Sequence, residues 1–198
     1  MAVDIADVKR LKDLTGVGLT DAKAALEEAN GDFDKALEAM RKKGLTKAEK
    51  RGEREARQGL VGTYNHDGRI GVLVEVNCET DFVARNEIFQ NLVKDVAMHI
   101  AAANPEYVST DEVPAAAKEK VEAEFSEKAK SEGKPADMVA KITEGQVKKY
   151  FAEKCLLEQP FVKNPDQTVD DYVKEHNARL GENIVVRRFS RIALGEVA

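Results

Sequence analysis

An apolar run, Gly71-Val72-Leu73-Val74-Glu75-Val76, precedes a stripe at Phe89, Leu92, Val93, Val96 and Ile100, and this pairing constrains the chain most. The run is short, β-branched and flanked by turn residues, which predicts a strand. The stripe recurs at helical spacing, which predicts one buried helix face over residues 82–100. Asn77-Cys78-Glu79 lies between them as a turn. Thr80 suits an N-cap, and Asp81 falls in the first turn, where the helix dipole favours an anion. A strand, a turn and an amphipathic helix in this order imply a sheet covered on one face by that helix. Phe82 stands at the helix mouth and admits two readings. Spacing alone favours an aromatic that packs on the sheet beneath a capped helix. The other reading is an aromatic and acidic probe offered to a partner.

Further strands fit the same layer. Residues 60–64 and 69–76 flank Asn65-His66-Asp67-Gly68, and Asp-Gly is a strong hairpin signal. Residues 184–189 supply a third strand. Before the sheet, residues 4–44 read as three short helices. Ile5, Val8 and Leu11 mark the first; Leu19, Ala22, Ala25, Leu26 and Ala29 the second; Phe33, Ala36, Leu37 and Met40 the third. Thr15-Gly16-Val17-Gly18 breaks the first from the second. Asn30-Gly31 offers a stop tolerant of positive φ, and Asp32 a cap.

The expected fold is α+β: an N-terminal three-helix bundle over 1–45, a charged helical linker over 46–58, and an α+β core over 59–113 and 158–198. A helical hairpin over 114–157 completes it. The linker carries too many charges for an apolar stripe, so it reads as a solvated helix. The hairpin turns near Gly133-Lys134-Pro135. Its seam is expected from Val121, Phe125 and Ala129 against Met138, Ile142, Val147, Tyr150 and Phe151. Two arrangements stay open, an arm that projects and a hairpin lying back on the core. Residues 158–167 are expected as a loop and 168–180 as a final helix.

Charge narrows the function. A net charge of -5 argues against a chain that coats nucleic acid, which is usually basic. No run reaches the roughly 18 apolar residues of a membrane span. Nothing resembles a signal peptide, so the expected location is the cytoplasm. Cys78 and Cys155 lack metal spacing and are expected as free thiols. His66, His99 and His176 sit in separate segments. No G-x-x-x-x-G-K-[ST] loop is present, and Gly16-Val17-Gly18 follows no strand. No catalytic residue, metal or cofactor is expected, and the chain reads as a protein that acts by binding rather than as an enzyme. A scaffold module that binds peptides or ribosomal components remains an alternative at this point.

Cys78-Glu79-Thr80-Asp81-Phe82-Val83-Ala84-Arg85-Asn86 resembles the signature of bacterial translation elongation factor Ts, in its short form. So does the block from Val8 through Thr15-Gly16-Val17-Gly18-Leu19 to Leu26. Gln159-Pro160-Phe161-Val162 and Lys174-Glu175-His176-Asn177-Ala178 also resemble family blocks. The order is kept over nearly the whole chain. The resemblance implies a ubiquitin-associated-like N-terminal bundle that docks on a partner. It also implies a coiled-coil form for the hairpin, a partner or dimer surface in that family.

The implied function is guanine-nucleotide exchange on elongation factor Tu, bound in its GDP and nucleotide-free forms. Thr80, Asp81, Phe82 and Val83 would disturb the partner's Mg²⁺ site, with Phe82 as wedge and Asp81 fixing its approach. His66 is a second candidate contact, against the alternative of a solvent-exposed turn histidine. Lys12, Leu19 and Thr20 occupy positions where the family often shows arginine and two methionines. Lysine keeps the charge and loses the planar fork, and Thr20 loses apolar contact and is left as a helix cap, so Leu19 is the best anchor. No direct nucleic-acid binding and no membrane association are expected. Longer family members carry two copies of the core subdomain, and this chain has room for one. A homodimer that presents the full surface is therefore left open.

Overall fold

The computed structural model describes residues 3–15, 17–40, 42, 52, 54–133 and 135–196. Helices α1 (Ile5–Thr15), α2 (Leu19–Glu28) and α3 (residues 33–40) form the N-terminal bundle. Val8, Leu11, Ala22, Ala25, Leu26, Ala36 and Met40 make its small core. Asn30 and Gly31 both take positive φ and stop α2. The Asp32 carboxylate accepts from the Lys35 amide at 3.1 Å and caps α3. Ile5 and Leu19, expected on buried stripes, are exposed. Each stands at the first residue of its helix, before the stripe turns inward.

The expected helical linker lies mostly outside the described residues. Those described between 54 and 57 are not helical, and strand β1 (Gln58–His66) begins directly after them. β1 pairs antiparallel with β2 (Ile70–Cys78), which pairs antiparallel with β3 (Val185–Ala193). Asp67 and Gly68 hold positive φ in the β1–β2 turn, as Asp-Gly predicts. β1 runs two residues past its expected bounds at each end, whereas β2 and β3 start one residue later than expected and end two and four residues later.

One face of the sheet meets α5 (Glu87–Ala103), whose Phe89, Leu92, Val93, Val96 and Ile100 are buried against Val72, Val74 and Val76. The approach is closest at Gly62, where a Cβ would stand 2.3 Å from a Val93 methyl. The expected single helix over 82–100 is two. The turn α4 (Asp81–Ala84) ends at Arg85, and Asn86 leaves helical conformation (ψ 134°) to cap α5 through the Ile88 amide at 2.8 Å. An Asn that caps competes with helix continuation, which is why one amphipathic segment is interrupted.

Helices α6 (Ala115–Ser131) and α7 (Ala136–Lys154) pack on each other. Their base is closed by backbone hydrogen bonds between residues 106–108 and 154–157, and by a small separate core of Val113, Phe151 and Cys155. The seam differs from expectation. Val139 and Thr143 are buried where Met138 and Ile142 were expected, and Met138 is exposed. The span 158–167 is a correction as well. Strands β4 (Pro160–Phe161) and β5 (Asn164–Thr168) form a small hairpin there. α8 (Val169–Leu180) then starts with a capping box, in which Thr168 and Asp171 exchange hydrogen bonds, and stops at Gly181 with φ 76°.

Candidate protein-docking site

β2 delivers the chain to the end of the sheet, where residues 79–85 turn over its edge. Thr80 caps α4, its hydroxyl oxygen accepting from the Val83 amide at 3.3 Å. Val83 and Ala84 are buried in the main core and pin the turn from below. Phe82 points the other way, with 79% of its surface exposed. The aromatic that spacing alone placed against the sheet is therefore outside the core. Asp81 and Arg85 flank it as an exposed ion pair at 3.0 Å. Of the four expected contact residues, Thr80, Asp81 and Phe82 are exposed, while the Val83 side chain faces inward.

The turn is tied to a distant part of the chain. The Glu182 carboxylate accepts from the Glu79 amide at 3.0 Å, the Thr80 amide at 3.1 Å and the Thr80 hydroxyl at 2.6 Å. In return, the Glu79 carboxylate accepts from the Asn183 amide at 2.6 Å. The Asn183 side chain donates to the carbonyls of Arg54 at 2.7 Å and Gly52 at 3.3 Å. Sequence analysis did not single out Glu182 or Asn183. Their partners lie more than a hundred positions away, and no local spacing carries that signal.

The remaining candidates are spread out. His66 is exposed at the far end of the sheet, its ring stacked on Tyr64 at 6.2 Å. It precedes β2 and Phe82 follows it, so a nine-residue strand, about 27 Å long, separates them. Lys12, Leu19 and Thr20 are exposed on α1 and α2. Thr20 lies inside α2 and does not cap it, because Gly18 holds the N-cap position. The geometry thus brings together Thr80, Asp81 and Phe82, with His66 at the other end of β2 and Lys12, Leu19 and Thr20 on the N-terminal bundle.

The family profile described as Elongation factor TS matches residues 7–196. The chain is 54% identical over 197 residues to elongation factor Ts of Citrifermentans bemidjiense, covering 99% of this chain and 91% of the relative. It is 53% identical to that of Geobacter sulfurreducens, with the same coverage. It is 54% identical over 190 residues to that of Carboxydothermus hydrogenoformans, covering 96% and 88%. The chain belongs to the elongation factor Ts family. It is a family of translation elongation factors, active in protein biosynthesis.

The elongation factor Ts blocks at 159–162 and 174–178 serve packing. Phe161 stacks on Tyr172 at 4.2 Å. The Val162 amide donates to His99 Nδ1 at 3.2 Å, so His99 Nε2 carries the proton and donates to Gln159 Oε1 at 2.9 Å. Burial holds His99 below the ordinary imidazole pKa, and burial does the same for His176. Asn177 accepts from the Ile184 amide at 3.1 Å, joining α8 to β3. Cys78 and Cys155 are both free and buried, and burial pushes each thiol up to about 11. Among the described residues, no cluster of His, Cys, Asp and Glu could hold a metal ion. No described helix is long and apolar enough to cross a membrane.

Proposed function

We propose that this chain is a guanine-nucleotide exchange factor for elongation factor Tu, binding its GDP and nucleotide-free forms in the cytoplasm. It acts by binding and catalyses no bond change. The observation that carries the reading is Phe82, four-fifths exposed on a turn that Thr80 caps and that the buried Val83 and Ala84 pin from below. A large apolar ring held in water by a rigid turn is a docking anchor in waiting. Exchange is reciprocal linkage: a factor that weakens nucleotide binding is itself weakened equally by nucleotide. A ~10⁴-fold shift corresponds to about 5.5 kcal/mol of contacts better made when nucleotide is absent. Phe82 is the wedge, Asp81 and Thr80 set its approach, and Val83 anchors the turn from inside. The target is the Mg²⁺ and phosphate site of the partner, whose ion orders switch loops.

Leu19 and Lys12 supply a second contact from the bundle, with Thr20 beside them, and His66 a third at the far sheet end. The division into bundle, linker, α+β core and hairpin arm puts Lys12, Leu19 and Thr20 in the bundle, and Phe82 and His66 at opposite ends of one strand of the core. The test is stopped-flow release of labelled GDP from elongation factor Tu. Faster release in proportion to added chain supports the reading. Binding without faster release would replace it with a scaffold role.

A second copy of the chain belongs to the same proposal. The sheet face away from α5 exposes Val61, Leu73 and Ile192, one from each strand. An apolar strip across an open sheet favours burial against its own copy. A homodimer would also bring additional contact residues within one particle. Sedimentation of the parent and of Leu73→Asp tests it: a dimer that becomes monomeric supports the pairing, and a monomeric parent removes it.

A further inference from the structure

We propose that Glu182 is a positioning residue for Phe82, acting through the turn that carries it. The inference rests on the reading that Phe82 engages the nucleotide-binding partner. It adds a residue outside the signature, brought in from the α8–β3 connection.

The first amides of a helix have no partner within it and need acceptors. α4 is a single turn of four residues and cannot hold its own shape. Its Thr80 side chain satisfies only the Val83 amide. The amides of Glu79 and Thr80 both point to one Glu182 oxygen, and the Thr80 hydroxyl proton goes to the other. A carboxylate is acceptor-only, so it takes all three at once. Committing the Thr80 proton to Glu182 leaves the Thr80 oxygen lone pairs for Val83. The cap and the clamp are therefore one network, and the attitude of Phe82, two residues on, is set by it.

The network continues beyond the turn. Asn183, next in sequence, donates its amide to Glu79 and its side chain to the Arg54 and Gly52 carbonyls. Arg54 also faces the Glu79 carboxylate at 3.5 Å. Two segments distant in sequence thus converge on the turn: the stretch entering β1 and the α8–β3 connection. Without the clamp, Phe82 would sample several attitudes, and docking would include the cost of ordering them.

The experiment is a double-mutant cycle read by release of a fluorescent GDP analogue from elongation factor Tu. Glu182→Ala is expected to keep the melting temperature within a few degrees and to speed deuterium uptake at the Glu79 and Thr80 amides. The half-saturating concentration should rise about tenfold, the maximal rate holding, because the seated complex restores the geometry. Glu182→Gln, which keeps an acceptor for the two amides, should recover most of this loss. In a Phe82→Ala background, Glu182→Ala should cost almost nothing further.

An undiminished loss in that background would overturn the proposal, as would normal amide protection in Glu182→Ala. Should Glu182→Ala fail to fold, Glu182→Asp, one methylene too short for all three donors, carries the same cycle. Failure of the Phe82 reading is separate: Phe82→Ala alone would then release GDP at the parent rate.

Discussion

Phe82→Ala separates an anchor from a core residue, and the structure sets the size of both effects. With 79% of its surface in water, Phe82 contributes little to folding, and its loss should change stability by no more than about 0.5 kcal/mol. Phe89, seven positions on and fully buried, is the control: its truncation should cost about 3–5 kcal/mol. Covering a Phe side chain contributes about 1.5–3 kcal/mol. Four-fifths of that remains to be gained at an interface, roughly 2 kcal/mol, or about thirtyfold in affinity. Calorimetric titration of nucleotide-free elongation factor Tu gives the affinity, and thermal melting gives the stability. A large drop in melting temperature with unchanged affinity per folded molecule would refute the reasoning. Unchanged stability with unchanged affinity would refute the anchor.

Gly62→Ala places a methyl 2.3 Å from Val93 and should cost about 1–3 kcal/mol; Val93→Ala in the same chain should recover part of it, as thermal melts would report. His99 and His176 are both held below the ordinary imidazole pKa, chiefly by burial, so the unfolded chain takes up protons first as pH falls through about 6.5. Stability should be fully present above that value and decline as pH falls below it; a melting temperature that stays flat as pH falls below that value would contradict it. Removing residues 1–50 should leave the sheet and α5 folded and weaken binding to elongation factor Tu; undiminished affinity by calorimetry would show that the bundle makes no contact.

Local patterns carried most of the fold. The strand, turn and helix around Val76 to Phe89 could be read because period two and period 3.6 follow each other without a gap. The misses share a cause, competition between local signals. Asn86 fits inside a helix by position and interrupts it by capping. Pro160 and Pro165 suggest an irregular loop, yet they sit in strands of two and five residues where few ladder bonds are needed. On α7, Met138 and Val139 are both apolar, and only packing decides which faces α6.

The site was legible in part for a deeper reason. Spacing assigns Phe82 to a helix mouth but does not say which side of the turn it takes. That side is settled by Val83 and Ala84, which enter the core. Residues adjacent in a single helical turn point in different directions, so burying the last two turns Phe82 outward. The turn then needs an external acceptor, because four residues satisfy few of their own amides. Glu182 supplies one at the N-cap, taking the Thr80 amide across 102 positions of sequence. The exposed aromatic is thus the consequence of two buried neighbours and one distant carboxylate. Only the neighbours could be read from the signature itself.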